Sequence, residues 1–284
     1  MSIVVTGATG QLGRLVVKSL LERGVPAGQI IGAGRDLDKI KDFADQGLRT
    51  ARIDFDDPAG LDAAFDGAQK VLLISGSEVG RRISQHRNAI DAAGRAGVDL
   101  LVYTSIAGAD TATMSLADDH KGTEAALRES GLPFALLRNS WYLENYTGQL
   151  ATTLQRGVIY GSSGEGRISA AARADFAEAA AVVLSTEGQA GAVYELGGDE
   201  AFSQAELAAE ITARTGTRVE YRDLPEVEYR QTLLDAGLPE PVATLLADVD
   251  RGVSRGELLV TTGDLSRLIA HPTSTLADAL GTRR

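Results

Sequence analysis

The run Ser2-Ile3-Val4-Val5-Thr6-Gly7-Ala8-Thr9-Gly10-Gln11-Leu12-Gly13 passes from a β-branched apolar strand, through three glycines, into a helical pattern. Leu12, Leu15, Val16 and Leu20 share one helical face, and Gly24 with Pro26 closes the helix. Each glycine has a separate physical reason. A tight strand-to-helix turn wants a residue free to take positive φ. A pyrophosphate needs the backbone to approach with no Cβ in the way, and the helix must then pack closely on the strand. The unpaired N–H groups and positive dipole end of the helix hold phosphate. The segment Gly7, Ala8, Thr9, Gly10, Gln11, Leu12, Gly13 therefore predicts a dinucleotide site. The plain alternative is a glycine-rich turn with no ligand.

Outward from this turn the same rhythm repeats. Strands are expected at Ile30-Ile31, Thr50 to Ile53, Lys70 to Ile74, Asp99 to Thr104 and Phe134 to Arg138. Helices are expected at Leu37 to Gln46, Pro58 to Phe65, Arg82 to Ala96 and Asp118 to Ser130, with Gly97 and Gly131 as helix-ending glycines. Val71-Leu72-Leu73-Ile74 and Leu100-Leu101-Val102 are apolar without alternation, as strands buried on both faces should be. The reading is α/β: a Rossmann-type doubly wound parallel sheet with a smaller C-terminal α+β lobe. The dinucleotide-binding domain is placed at residues 1–138 and the smaller substrate lobe at 139–284, with about 174–200 returning to the main sheet.

In the second half, Gly161 to Gly166 reads as a turn between two short strands, and an alanine-rich helix runs from Asp175 to about Ser185. Val193 to Leu196 reads as a strand that rejoins the sheet. Ser203 and Glu206 form an S-x-x-E capping box. The remainder is helical and acidic.

The second strand ends Ala33-Gly34-Arg35. An arginine there suits a ribose 2′-phosphate, hence NADPH. Asp36 beside it would suit NADH. Its other role is N-cap of the helix from Leu37, and that role is preferred, so NADPH is expected ahead of NADH. Ser75-Gly76-Ser77 follows the fourth strand and can pass beside the cofactor ribose, or be an ordinary loop. Thr104-Ser105 ends the fifth strand on the same side.

Composition excludes other classes. The chain of 284 residues has no cysteine, so disulfides, thiolate metal sites and cysteine nucleophiles are out. Three histidines, His86, His120 and His271, lie far apart without metal-ligand spacing, and no metal is expected. A net charge of -11 disfavours nucleic acid and anionic lipid surfaces. No apolar run approaches the ~18 residues of a membrane span, and no signal peptide is read, so a cytoplasmic protein is expected. Homo-oligomerisation is left open.

The segments T-G-A-T-G-Q-L-G, L-L-I-S-G-S-E-V-G, Y-T-S, L-L-R-N-S-W-Y-L-E-N-Y and V-Y-E-L-G-G closely resemble the bacterial type-2 NAD(P)H:quinone oxidoreductases and triphenylmethane reductases. These are NmrA-like, atypical members of the short-chain dehydrogenase superfamily. The likeness covers nearly the whole chain. It implies cofactor contacts at the glycine turn, Arg35, Ser75 to Ser77, and the segment Asn139, Ser140, Trp141, Tyr142, Leu143, Glu144. Arg173 looks like a further ligand-side residue, its alternative being a surface ion pair with Asp175.

Ordinary short-chain dehydrogenases use a Tyr-x-x-x-Lys pair to shuttle a proton. None of the seven tyrosines has a lysine four positions on; in the expected helix His120 and Glu124 take the two places. Quinone reduction asks for less: a flat ring stacked for hydride transfer, and a proton from water or a weak acid. Trp141, Tyr142 and Tyr146 supply flat surface, or lobe core, and Asn145 could bind a quinone oxygen. His120 is a candidate proton donor because its ordinary pKa lies near neutrality, with plain helix-surface placement preferred. The expectation is an NADPH-dependent reductase of quinones or similar flat, electron-poor acceptors. The alternative is a non-enzymatic NADP(H)-binding redox sensor of the NmrA type. A nucleotide-sugar epimerase is disfavoured by the absent pair.

Overall fold

The computed structural model describes residues 1–76, 78 and 80–281; Ser77 of the expected cofactor loop lies outside the described residues. In chain order the elements begin with β1 (Ile3–Val5), α1 (Gln11–Glu22), β2 (Ile30–Gly34), α2 (Lys41–Ala44), β3 (Arg49–Arg52), α3 (Pro58–Phe65), β4 (Lys70–Leu73) and α4 (Arg82–Ala96). There follow β5 (Leu100–Ile106), α5 (Ser115–Ser130), β6 (Phe134–Asn139), α6 (Glu144–Thr147), α7 (Leu150–Arg156), β7 (Val158–Gly161), β8 (Arg167–Ile168), α8 (Arg173–Ser185) and β9 (Val193–Leu196). The last are β10 (Phe202–Ser203), α9 (Gln204–Thr215), β11 (Glu220–Asp223), α10 (Glu226–Asp235), α11 (Glu240–Ser254), α12 (Asp264–Ile269) and α13 (Leu276–Leu280).

The chain divides into two compact units. One comprises residues 1–106, 119–138 and 173–194; the other comprises 107–118, 139–172 and 195–284. Segment 107–118 thus groups with the C-terminal residues, which periodicity along the chain does not reveal.

The main sheet has seven strands in the order β3-β2-β1-β4-β5-β6-β9. The pairs β2–β3, β1–β2, β1–β4 and β4–β5 are parallel. Every residue of β1, β4 and β5 is buried, which explains the apolar runs Val71-Leu72-Leu73 and Leu100-Leu101-Val102 without alternation. Val4, Val71, Leu73, Leu101 and Tyr103 join one core cluster with Leu61 and Phe65 of α3, Ile90 and Ala93 of α4, and Leu127 of α5. Their alternate neighbours Ile3, Val5, Leu72 and Val102 are equally buried and point to the opposite face, as a two-residue period requires. There α1 and α8 pack against each other, with α8 also against β4 and β5. The sheet is therefore covered on both faces. The order reverses between β1 and β4, and α/β sheets open a crevice at the carboxyl ends of such a strand pair.

The helix expected at Leu37 to Gln46 is instead a 3₁₀ turn, Leu37–Ile40, followed by the four residues of α2. Only Ile40 and Phe43 are buried there, too narrow a stripe to hold a longer helix. Asp36 sits at the N-cap position but its side chain makes no capping bond; it pairs with Lys39 at 3.5 Å.

In the second unit β7 pairs with β11 in parallel and β8 with β10 antiparallel. The strands flanking Gly161 to Gly166 therefore pair with others, not with each other. Ser203 and Glu206 close the capping box at α9 in both directions. Among the described residues no helix is long and apolar enough to cross a membrane.

The α1 contact rests on Gly13. A Cβ there would lie 2.2 Å from the Gly7 carbonyl oxygen, and Gly7 itself has φ +63. A Gly13→Ala variant should lose about 2 kcal/mol or more of unfolding free energy, as overpacking against backbone does. Gly94→Ala, in α4 with nothing within 4 Å, should instead gain about 0.5–1 kcal/mol. Urea titrations of both variants check this, and equal effects would refute the close-contact account.

Candidate functional site

At the carboxyl ends of β1 and β4 the first unit holds a cavity of about 260 Å³. Gly7, Thr9, Gly10, Gly34, Arg35, Ser75 and Gly76 all line it, so six sequence-predicted positions beside Gly34 converge on one hollow. Gly10 is the N-cap of α1 and offers no side chain to the helix start, and the first turn holds no acidic residue. The N–H groups of Gln11, Leu12 and Gly13 are therefore left without a side-chain cap, as a helix start suited to an anion requires. Ala8 and Leu12 are buried in the packing below, and Gln11 is exposed. This cradle fits a dinucleotide pyrophosphate: backbone donors, no Cβ in the approach, and the Arg35 guanidinium at its edge.

The loop after β4 is pinned by side chains at three successive amides. Ile74 N–H donates to Thr6 Oγ1 (3.0 Å), Ser75 N–H to Thr104 Oγ1 (2.9 Å) and Gly76 N–H to His86 Nε2 (3.0 Å). Gly76 C=O in turn accepts from Arg82 Nε at 2.6 Å. An imidazole nitrogen that accepts an amide proton is unprotonated, so His86 carries its hydrogen on Nδ1 and donates to Thr123 Oγ1 at 2.9 Å. Thr123 passes the chain to Asp119 C=O (3.0 Å), and Arg82 Nη1 reaches Asp119 Oδ2 (3.0 Å). Phe55 and Tyr103 set their rings edge-on to His86, at centroid distances of 6.1 and 5.4 Å. Burial, with the nearby Arg82 charge, pushes the His86 pKa down to about 3. A neutral ring is what this acceptor role needs. Helical spacing carried the signal: Arg82, His86, Ala89 and Ala93 share one face of α4, and all are buried.

His120 requires a correction. It is buried, not on the helix surface, and its Nδ1 lies 2.8 Å from the Tyr103 hydroxyl. Burial first, then the nearby Arg82 charge, lowers its pKa to about 3. A ring neutral throughout the physiological range has no proton to give, and His120 lines neither cavity described here. Glu124, in the place of the usual lysine, is likewise internal. It binds Arg138 through both oxygens (3.0 and 2.6 Å) and accepts from the Ser105 hydroxyl at 2.6 Å. These two positions build the interior of the first unit.

The second unit holds its own cavity, about 970 Å³, lined by Trp141, Glu144 and Asn145 among others. Ile159, Leu207, Ile211, Leu233, Leu246 and Val253 supply apolar wall. Tyr146, Gln204, Tyr229 and Asp250 supply polar atoms, and the last three were not legible as site residues. Asp250 Oδ2 accepts from Ser162 N–H at 2.8 Å. Burial, aided by the Asp223 charge, pushes its carboxyl up to about 6. Gln204 Oε1 is buried with no hydrogen-bond partner among the described residues, while its Nε2 reaches toward the Tyr146 hydroxyl at 3.5 Å.

The rest of the asparagine-aromatic segment does not line that cavity. Asn139 ends β6, buried, with Oδ1 unpartnered among the described residues. Ser140 donates its hydroxyl to Leu258 C=O (3.0 Å), Tyr142 bridges to Ala171, and Leu143 is fully buried. Arg173 opens α8 in the first unit, and Asp175 beyond it is buried, so the alternative of a pair between two surface groups does not hold.

Residues 7–187 match a family model described as NAD(P)H-binding. Quinone oxidoreductase 2 of Escherichia coli (strain K12) is 47% identical over 278 residues, 98% of this chain and 97% of that protein. The crystal structure of the NADPH-dependent quinone oxidoreductase from Escherichia coli, complexed with NADPH, superposes with a TM-score of 0.95 over 98% of both chains, at 47% identity. The Citrobacter sp. triphenylmethane reductase complexed with NADP(H) gives a TM-score of 0.91 at 35% identity, over 99% of both chains.

The two buried histidines make stability depend on pH. Unfolded, each titrates near the ordinary imidazole value of 6.5; folded, each holds near 3. Below pH 6.5 the unfolded chain therefore binds protons that the folded chain refuses, and stability falls as pH drops through that window. The slope is on the order of 1.4 kcal/mol per pH unit for each histidine. Urea midpoints measured from pH 7 to pH 5 should fall, and less steeply in His86→Gln. An identical slope in the variant would contradict the assignment.

Proposed function

Because the chain belongs to the NAD(P)H-binding family, we propose that it is an NADPH-dependent reductase of quinones or similar flat, electron-poor acceptors. The observation that carries this reading is the convergence of the glycine turn and Arg35 on one cavity at the strand-order reversal, in a chain 47% identical to a quinone oxidoreductase. Amides of Gln11, Leu12 and Gly13 hold the pyrophosphate. Arg35 offers its planar fork to the 2′-phosphate. The amides of Ile74 to Gly76 are already engaged by side chains, so the loop there is ordered before ligand arrives and loses little freedom on binding.

When bound, NADPH supplies the hydride, two electrons and one hydrogen, and the acceptor completes its reduction by taking one proton. Within the second unit, the cavity suits a flat ring, with Trp141 as flat surface and Asn145 as hydrogen-bonding group. Asp250 lines the same cavity and its Oδ1 makes no hydrogen bond among the described residues. Its carboxyl, near 6, is matched to proton exchange close to neutrality. It takes the role that a Tyr-x-x-x-Lys pair fills elsewhere.

Purified protein mixed with NADPH and a simple quinone should oxidise NADPH, read at the nicotinamide absorbance band; no turnover across quinones and dyes would leave a binding protein without chemistry. Arg35→Ala should raise the NADPH KM about tenfold or more, a change of about 1.4 kcal/mol, and barely move that of NADH. Asp250 loses its proton as pH rises through about 6. The kcat of the wild type should therefore fall above that pH, while Asp250→Asn should be slower and flat. A variant that keeps the wild-type profile would remove Asp250 from the proton path.

A further inference from the structure

Two acids line the cofactor cavity that the function above does not use, Asp54 and Glu78. Asp54 Oδ1 accepts from Asp56 N–H at 3.0 Å, whereas Glu78 pairs with Arg35. Its Oε1 accepts from Arg35 Nη1 at 3.1 Å. Its Oε2 accepts from Gln85 Nε2 at 3.1 Å and, at 3.5 Å, from Arg81 Nη1. Gln85 is buried and its amide also donates to Asp56 Oδ2 (3.0 Å), while Arg81 pairs with Asp56 at 2.9 Å. Glu78 is thus held from behind by a scaffold that does not depend on Arg35. Arg35 is the loose member of the pair, its side chain 70% exposed.

Asp36, the acid that a sequence pattern would place on the ribose, does not line the cavity and pairs with Lys39. Glu78 brings a carboxylate to the hollow from another loop. We infer that Glu78 is a specificity-determining residue for the dinucleotide, acting as the resident partner of Arg35 in the free protein and as the acceptor for a ribose 2′-hydroxyl. This rests on the dinucleotide reading of the cavity. An exposed ion pair is weak, whereas a phosphate dianion makes charge-assisted bonds about twice as strong as neutral ones. A 2′-phosphate therefore draws Arg35 off Glu78 and lies against a carboxylate that Gln85 and Arg81 keep in place. A 2′-hydroxyl leaves the pair standing and donates to Glu78. Glu78 thus disfavours NADPH and favours NADH, while Arg35 favours NADPH.

The test is calorimetric binding of NADPH and of NADH to wild type, Glu78→Gln, Arg35→Ala and the double variant, with thermal midpoints confirming that each is folded. Glu78→Gln keeps the size and the Gln85 contact but drops the charge. It should bind NADPH about threefold tighter and NADH about threefold weaker, moving their ratio about tenfold. In the Arg35→Ala background the NADPH gain should shrink, because no guanidinium remains to release. Equal weakening of both dinucleotides would reduce Glu78 to a scaffold residue, and an unchanged ratio would overturn the inference while leaving the cofactor site intact. Wild type binding neither dinucleotide would instead overturn the cofactor reading itself, and this inference with it.

Discussion

The contact between Gly13 and the carbonyl of Gly7 governs the rest of the first unit. Helix α1 can start within one turn of β1 only because no Cβ intervenes at Gly13; one there would stand 2.2 Å from that oxygen. The close approach aims the unpaired amides of Gln11, Leu12 and Gly13 at the end of the strand, where the sheet order reverses. It also lets Val16, Val17 and Leu20 bury completely. The exposed helix-start amides and the core packing are therefore consequences of one steric allowance.

Behind the cavity the structure replaces loop flexibility with a polar lattice. Thr6, Thr104 and His86 each take one amide of the loop after β4, and Arg82 takes the carbonyl of Gly76. Thr123 and Asp119 of α5 anchor that lattice. Buried polar groups are tolerable only when satisfied, and these satisfy one another. The same helix carries Glu124, locked to Arg138 in the interior. Where a dehydrogenase of the ordinary kind would keep a tyrosine–lysine acid, this chain has spent the two positions, His120 and Glu124, on internal bonding. Proton exchange must then come from elsewhere. The half-buried carboxyl of Asp250, raised to about 6 by desolvation, is chemically suited to supply it.

The outcome for particular residues shows what kind of information each level carries. The strands β1, β4 and β5, the helices at Pro58 to Phe65 and Arg82 to Ala96, and the capping box at Ser203 were legible because each depends on neighbours a few residues away. The glycine turn and Arg35 were legible for the same reason: backbone sterics and local spacing. His120 was misread because its environment is made by Tyr103, on a strand that only the fold places beside it. Glu78, Gln204 and Asp250 carried no local mark at all. A glutamate in a loop, a glutamine opening a helix and an aspartate in an acidic helix are ordinary until other segments surround them.

The order of elements, the glycine turn and the place of the arginine beside it follow from short-range periodicity and the steric freedom of glycine, so the linear chain settled them. Which titratable groups are neutral, which acid faces which cavity and which polar atoms hold the loop depend on desolvation and on partners tens of residues away. Those quantities exist only once the chain has folded, and the tertiary structure alone decided them.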